Sequence, residues 1–256
     1  MNFASLLLLG FIAGATILLG LLVGRLKAFN STAKNFLSML AAGILIFLIV
    51  DVLGDAGSAA AASFKVPGKI GTGILLSLLL AGGFALGLLS LVWFEQNLLR
   101  GKGSRNPERL SFMIATAIGL HNLSEGLAIG QSYAQGLSGL TTTLIIGFAL
   151  HNATEGFGIV GPVMQQGGRF SWGSLLLLAA IGGGPTFIGT LLGSLWTSTY
   201  LSVAVLGMAG GALVYVVKEL FAGVRKESLQ VLIMTSVVIG FMVGWATDVI
   251  ASGGAG

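Results

Sequence analysis

Apolar runs about as long as a membrane is thick recur eight times along the chain, at 3–23, 36–55, 70–94, 110–133, 138–163, 172–196, 200–220 and 229–250, each bounded by charged residues or by proline and glycine. An α-helix needs about 20 apolar residues to cross the hydrocarbon core of a bilayer. The pattern therefore predicts an all-α, polytopic membrane protein with eight transmembrane helices, forming a single transmembrane domain over residues 1–256. The first run has no basic residue ahead of it and no convincing A-x-A cleavage site, so it reads as a retained helix and not a signal peptide.

Small residues subdivide these runs. Glycine occurs 41 times, and pairs at four-residue spacing (Gly10/Gly14, Gly20/Gly24, Gly83/Gly87, Gly189/Gly193, Gly207/Gly211 and Gly240/Gly244) predict close helix packing. Gly182-Gly183-Gly184-Pro185 differs, because it falls near the middle of the sixth run. Proline lacks an N–H and crowds the preceding turn, so a kink or break is expected there, at a depth where irregular backbone usually lines a cavity.

Composition agrees with the pattern: 55% of residues are hydrophobic and 9% charged, against about 25% charged in an ordinary soluble domain. Eight spans consume about 160 of the 256 residues, which excludes a large extramembrane domain. The absence of cysteine excludes disulfides, thiolate metal sites and cysteine nucleophiles, so any bound metal must take N and O ligands. The net charge of +4 encodes orientation, with no nucleic-acid partner implied: eleven of the 13 lysines and arginines fall in the odd-numbered loops or at their edges, and only Lys65 and Lys69 lie opposite. By the positive-inside rule the odd loops are cytoplasmic and both termini lie outside a plasma or inner membrane.

Both histidines of the chain sit in mid-run copies of one pattern, His121-Asn122-Leu123-Ser124-Glu125-Gly126 and His151-Asn152-Ala153-Thr154-Glu155-Gly156. Within each copy His and Glu are i and i+4, one turn apart on one helix face. The copies are 30 residues apart, about one transmembrane hairpin, so two His, two Glu and two Asn can converge at one depth. An ionisable residue at the bilayer centre costs about 2.5–3.5 kcal/mol, and four such residues need compensation. A divalent cation supplies it, and a His, carboxylate and amide set suits Zn²⁺, Fe²⁺, Mn²⁺ or Co²⁺ better than Cu⁺. The competing reading is a polar clasp in which His and Glu pair across the hairpin. Spacing alone does not say whether a metal is held, used or moved.

These motifs resemble those of the ZIP (Zrt/Irt-like) divalent metal transporters, prokaryotic-type, whose members have eight transmembrane helices, extracellular termini and H-N-x-P-E-G-like motifs in helices 4 and 5. The resemblance implies a binuclear transport site mid-membrane and metal uptake toward the cytoplasm. It also implies an elevator-like movement of helices 1, 4, 5 and 6. By motif position it makes His121, Asn122, Glu125, His151, Asn152 and Glu155 the metal ligands. The metal is then transported substrate, zinc foremost, and not a catalytic cofactor. The partners are the ion and the lipid bilayer, with a homodimer among the open assemblies.

Three departures stand out. Ser124 and Thr154 replace the family's proline, and their hydroxyls are expected to bond back to a carbonyl one turn earlier. Gly184 precedes Pro185 where many members have a glutamate that serves a second metal, so one tightly held ion is expected. The loop between helices 3 and 4 is short and lacks histidine.

Among the remaining acids, Asp51 and Asp55 are expected near the outer end of the second run and Asp248 near that of the eighth, either as an ion-attracting entrance or as interfacial polar residues. Glu219 reads as an exit ligand or as the partner of basic neighbours. Glu95, Glu108 and Glu227 read as surface charge balance. Two other functions use the same polar chain: an intramembrane metal-dependent hydrolase, which would use the site to activate water, and a metal-independent proton or ion pathway. The first is disfavoured by the absence of H-E-x-x-H and of a separate nucleophile, and no phosphate-binding loop is present, so the chain is expected not to be an enzyme.

Overall fold

A computed structural model describes residues 2–25, 31–94, 96–97, 106–196, 198–223 and 230–253. Among these residues, ten α-helices build eight membrane-crossing segments, two of which are broken: α1 (Phe3–Ala15) with α2 (Ile17–Leu22), α3 (Ser31–Phe64), α4 (Ile70–Phe94), α5 (Pro107–Ala134), α6 (Ser138–Gln165), α7 (Trp172–Gly182) with α8 (Gly184–Leu195), α9 (Thr199–Gly223) and α10 (Gln230–Gly253). Eight segments are long and apolar enough to span a bilayer, as the hydrophobic pattern predicts. The basic and acidic residues Lys27, Glu95, Arg100, Lys102, Arg105, Arg225, Lys226 and Glu227 lie outside the described residues.

Local chemistry accounts for several boundaries. Asn106 caps α5, its side-chain oxygen accepting from the Glu108 backbone N–H, and Pro107 occupies the first turn, where a missing N–H costs nothing. Between α5 and α6 the chain turns through Gly136 at φ +76°, a left-handed conformation that favours glycine. The sixth span breaks at Gly183, immediately before Gly184 and Pro185, where a break is expected.

Two features depart from expectation. The first span is also interrupted, at Thr16, with no proline or glycine at the break itself. Thr16 Oγ1 lies 2.7 Å from the Ala13 carbonyl and 2.6 Å from that of Ala149 on α6, so tertiary contact accompanies the interruption. The second span is longer than 36–55: α3 continues to Phe64, because the alanine-rich stretch 59–62 favours helix and overrides Gly54 and Gly57. Asp51 and Asp55 consequently lie well inside α3, not at its end.

The glycine pairs lock helices together in two groups. In one, α1, α2, α5, α6, α7 and α8 touch backbone to backbone. A Cβ on Gly14 would strike the Gly183 carbonyl, one on Gly20 the backbone of α6, and one on Gly126 the Thr186 carbonyl. In the other, α3 and α10 are joined the same way through Gly43 and Gly240, and α4 and α9 through Gly83, Gly87, Gly207 and Gly211, while side chains connect the two pairs, as where Gly210 on α9 meets Leu53 on α3. Contacts at the boundary between the groups are looser: a Cβ on Gly158 would meet the Ala41 methyl at 3.4 Å, and one on Gly161 the Ser38 side chain at 3.2 Å with the Ser38 Cα at 3.9 Å. The apolar cores follow the spans, and α5 is the most enclosed, with 72% of its span buried against 17% for that of α4.

Candidate metal transport site

The two motifs meet in the middle of the first group. All six residues are at most 5% exposed: His121 and Asn122 with Glu125 on α5, His151 and Asn152 with Glu155 on α6. His121 Nε2 lies 3.2 Å from Glu125 Oε1 and 3.8 Å from Glu155 Oε1, and His151 Nε2 lies 4.0 Å from Glu155 Oε1. The imidazole rings are 6.0 Å apart. Ligand atoms of His121, Glu125 and His151 all lie within 4.8 Å of one another. Four ligands about 2.0–2.1 Å from a tetrahedral ion are about 3.4 Å from each other, so modest side-chain adjustment would close the set on one ion.

Hydrogen bonding leaves this cluster unsatisfied. Both ring nitrogens of His121, Nε2 of His151, Oε2 of Glu125 and both carboxylate oxygens of Glu155 are buried without a hydrogen-bond partner. Such groups are costly in a low-dielectric interior unless a cation or proton engages them. His121 Nε2 approaches both glutamates, yet Nδ1 of His121 and Oε2 of Glu125 have no partner at all, so a His/Glu clasp leaves part of the cluster unused.

The two asparagines behave differently. Asn122 donates from Nδ2 to the Gly182 carbonyl at 2.9 Å and to Oδ1 of Asn152, whose own Nδ2 donates to the Ala13 carbonyl at 3.1 Å. They therefore tie the breaks of the first and sixth spans to each other through the motif helices. Oδ1 of Asn122 remains without a partner, whereas Oδ1 of Asn152 is engaged. Ser124 and Thr154 donate to the carbonyls of His121 and His151, at 2.5 and 2.7 Å, taking up the local role expected of them in the absence of proline.

A cavity of about 140 Å³ reaches the cluster from one end of the bundle, lined among others by Asp51, Asp55, His121, Glu125, Gln131 and Ser202. Gln131 and Ser202, which bond side chain to side chain at 3.3 Å, lie near the α5–α6 turn and the start of α9. Sequence reading missed both, although Glu125, Ala128 and Gln131 share one helical face at three-residue spacing. Asp248 does not line the cavity. At the other end the helices close on an apolar cluster that includes Met39, Met113, Val163, Phe170 and Tyr215. There Glu219 is buried and accepts from Lys218 Nζ, which also lies 5.2 Å over the Tyr215 ring, so pairing with a basic neighbour describes it. Arg25 donates to the Phe170 carbonyl at 2.8 Å and sits 4.5 Å over Trp172, joining the end of the first span to the loop before the sixth.

The family model for the ZIP zinc transporters matches residues 101–247, which include both motifs and the broken sixth span. The chain belongs to the ZIP zinc transporter family. It is accordingly a polytopic integral membrane protein and a metal transporter, and members of the family are not enzymes. No curated protein matches the sequence closely enough to serve as a relative.

Proposed function

We propose that this ZIP family member carries divalent transition-metal ions, zinc foremost, into the cytoplasm across the cell membrane. Glu125 and Glu155 supply the two negative charges that balance the ion, His121 and His151 supply nitrogen ligands, and Asn122 Oδ1 is available as a further oxygen. Asn152 serves chiefly by holding the helix breaks in register. The observation that carries this reading is the set of buried, unpartnered His and Glu atoms from the two motif copies, gathered where a cavity reaches them.

The direction rests on orientation. The cavity opens at the end that also holds the 65–69 and 135–137 connections, which positive-inside sorting assigns to the exterior. The site is then open outward and sealed inward by the apolar cluster. The two glycine-locked groups support an elevator-like step, in which α1, α2 and α5 to α8 move as one body against α3, α4, α9 and α10. With Gly184 in place of a third carboxylate, the site carries one ion tightly.

Zinc uptake by proteoliposomes is the test. Glu125→Ala and Glu155→Ala should each insert normally and lose most uptake, because each leaves a divalent ion half-compensated in low dielectric. Near-normal uptake by both variants would sink the proposal. Val66→Cys, in a connection assigned to the exterior, should react with an impermeant thiol reagent from outside intact cells; reaction only from the cytoplasmic face would reverse the direction.

A further inference from the structure

A second cavity, of about 110 Å³, lies between α4 and α5, away from the transport site, and among the described residues Leu91, Phe112, Met113 and Thr116 line it. Its one hydroxyl, that of Thr116, already donates to the Phe112 carbonyl at 2.9 Å. Such a cavity gives water no partners and is left to hydrocarbon. It is smaller than the roughly 300–1,000 Å³ that encloses a compact organic ligand, so it suits a stretch of one chain whose remainder lies outside. Thr116 is exposed although its span is the most enclosed, so the cavity opens toward lipid. Its walls belong to different bodies: the close glycine contacts of α4 go to α9, and those of α5 go to α7 and α8. Whatever fills the gap therefore touches both glycine-locked groups.

Charge complementarity selects the kind of lipid. Arg109, Phe112, Met113 and Thr116 are i, i+3, i+4 and i+7, one stripe of α5. Arg109 is exposed at the end of that stripe nearest the start of α5, about 5 Å from the cavity along the helix axis. Among the described residues no acid pairs with it. Glu108 lies on a different face, because i and i+1 do not meet on a helix. Trp93 on α4, 61% exposed, stands at the same end of the bundle, as tryptophan does at headgroup level. In sequence, the connection between the two helices adds Arg100, Lys102 and Arg105, and basic clusters just cytoplasmic of a membrane helix attract anionic lipid. We infer that an anionic phospholipid of the cytoplasmic leaflet binds between α4 and α5, its phosphate at Arg109 and part of one acyl chain in the cavity. The lipid bridges the two groups proposed to move against each other. Because the cavity is present while the transport site is open outward, binding favours that state by the difference in its affinity for the two arrangements. This consequence for transport rests on the carrier reading, whereas the binding does not.

Native mass spectrometry of the full chain, with dioleoyl phosphatidylglycerol and dioleoyl phosphatidylcholine as probes, reads binding in the absence of zinc. The wild type should retain phosphatidylglycerol in preference to phosphatidylcholine. Arg109→Gln should weaken that retention about fivefold, and Thr116→Phe, which fills the cavity, should abolish it. Thr116→Val, of equal size, and Arg169→Gln, which removes a basic residue elsewhere on the cytoplasmic side, should bind as the wild type does. Where Thr116→Phe lowers the thermal midpoint in phosphatidylcholine alone, Leu91→Phe fills the cavity from the α4 wall and carries the same expectation. Equal retention of the two lipids, undiminished retention in the filled variant, or an equal loss in Arg169→Gln overturns the lipid site. Glycerol 3-phosphate binding as strongly as the lipid also overturns it, since that probe has the charge without the chain. In proteoliposomes, adding phosphatidylglycerol to phosphatidylcholine should lower KM for zinc about threefold more in the wild type than in Arg109→Gln, which reports what membrane charge alone does. Equal shifts in KM overturn the bridging role. Absence of zinc uptake in every lipid overturns the carrier reading and leaves the binding result standing.

Discussion

At the residue scale, the two halves of the H-N pair do separate jobs. The histidines and glutamates are buried with atoms to spare, while the asparagine beside each histidine spends its N–H groups on backbone carbonyls at the helix breaks. Asn122→Ala should strip the partner from the Gly182 carbonyl and from Oδ1 of Asn152, lowering stability by about 1–3 kcal/mol. A fall in the thermal midpoint of the purified protein would check it, with Asn122→Asp as a comparison that preserves size but cannot donate when ionised. Proton competition gives a second expectation. Metal binding needs neutral imidazoles and ionised carboxylates, so binding releases protons and zinc affinity should weaken as pH falls from about 7.5 to 5.5. Calorimetry in buffers of different ionisation heat reads both the affinity and the protons released, and an affinity flat across that range would argue against histidine ligation. The six residues were legible in the sequence because i, i+4 spacing and a repeat one hairpin long leave little freedom in where they meet. The asparagine tie was not, since a side-chain amide has both donor and acceptor and sequence does not say which is used.

At the element scale, breaks and close contacts decide the helix arrangement. The interruption before Pro185 could be read directly, because proline removes an N–H wherever it sits. The one at Thr16 could not, because it accompanies contacts with residues 133 and more positions away, at Ala149 and Gly183. The full length of α3 was hidden by Gly54 and Gly57, which look like punctuation and are simply carried within a long helix. Neighbouring glycines should therefore respond oppositely to substitution. A methyl at Gly126 would meet backbone of α8 on which neither helix can yield, so Gly126→Ala should cost at least about 1–3 kcal/mol and impair uptake. Gly184 has open space around its would-be Cβ, so Gly184→Ala should insert and transport almost normally. Thermal stability and uptake of the two variants, measured side by side, check the contrast. The same open space admits Gly184→Glu, and calorimetric stoichiometry should rise from one zinc ion toward two if the added carboxylate reaches the site; two tight ions in the wild type would refute the charge argument.

At the scale of the whole molecule, the absence of cysteine makes relative movement directly testable. Gly158 on α6 and Ala41 on α3 face each other across the boundary, where a Cβ added to Gly158 would lie 3.4 Å from that of Ala41, near the distance that a disulfide requires. Oxidation of Ala41→Cys with Gly158→Cys should arrest zinc uptake, and reduction should restore it. Uptake that continues with the cross-link complete would mean that the groups do not slide there. The uneven placement of glycine has a consequence for how the chain can change over generations. Where backbones touch, almost every substitution is a collision, so those faces are closed to drift. At the boundary, where Gly158 and Gly161 face α3, the contacts are looser, and one small residue can replace another at lower cost. In the proposed elevator-like step the surface that slides is thus also the one more open to variation, and the rate of cycling can be retuned there without disturbing the two motifs or the frame that holds them.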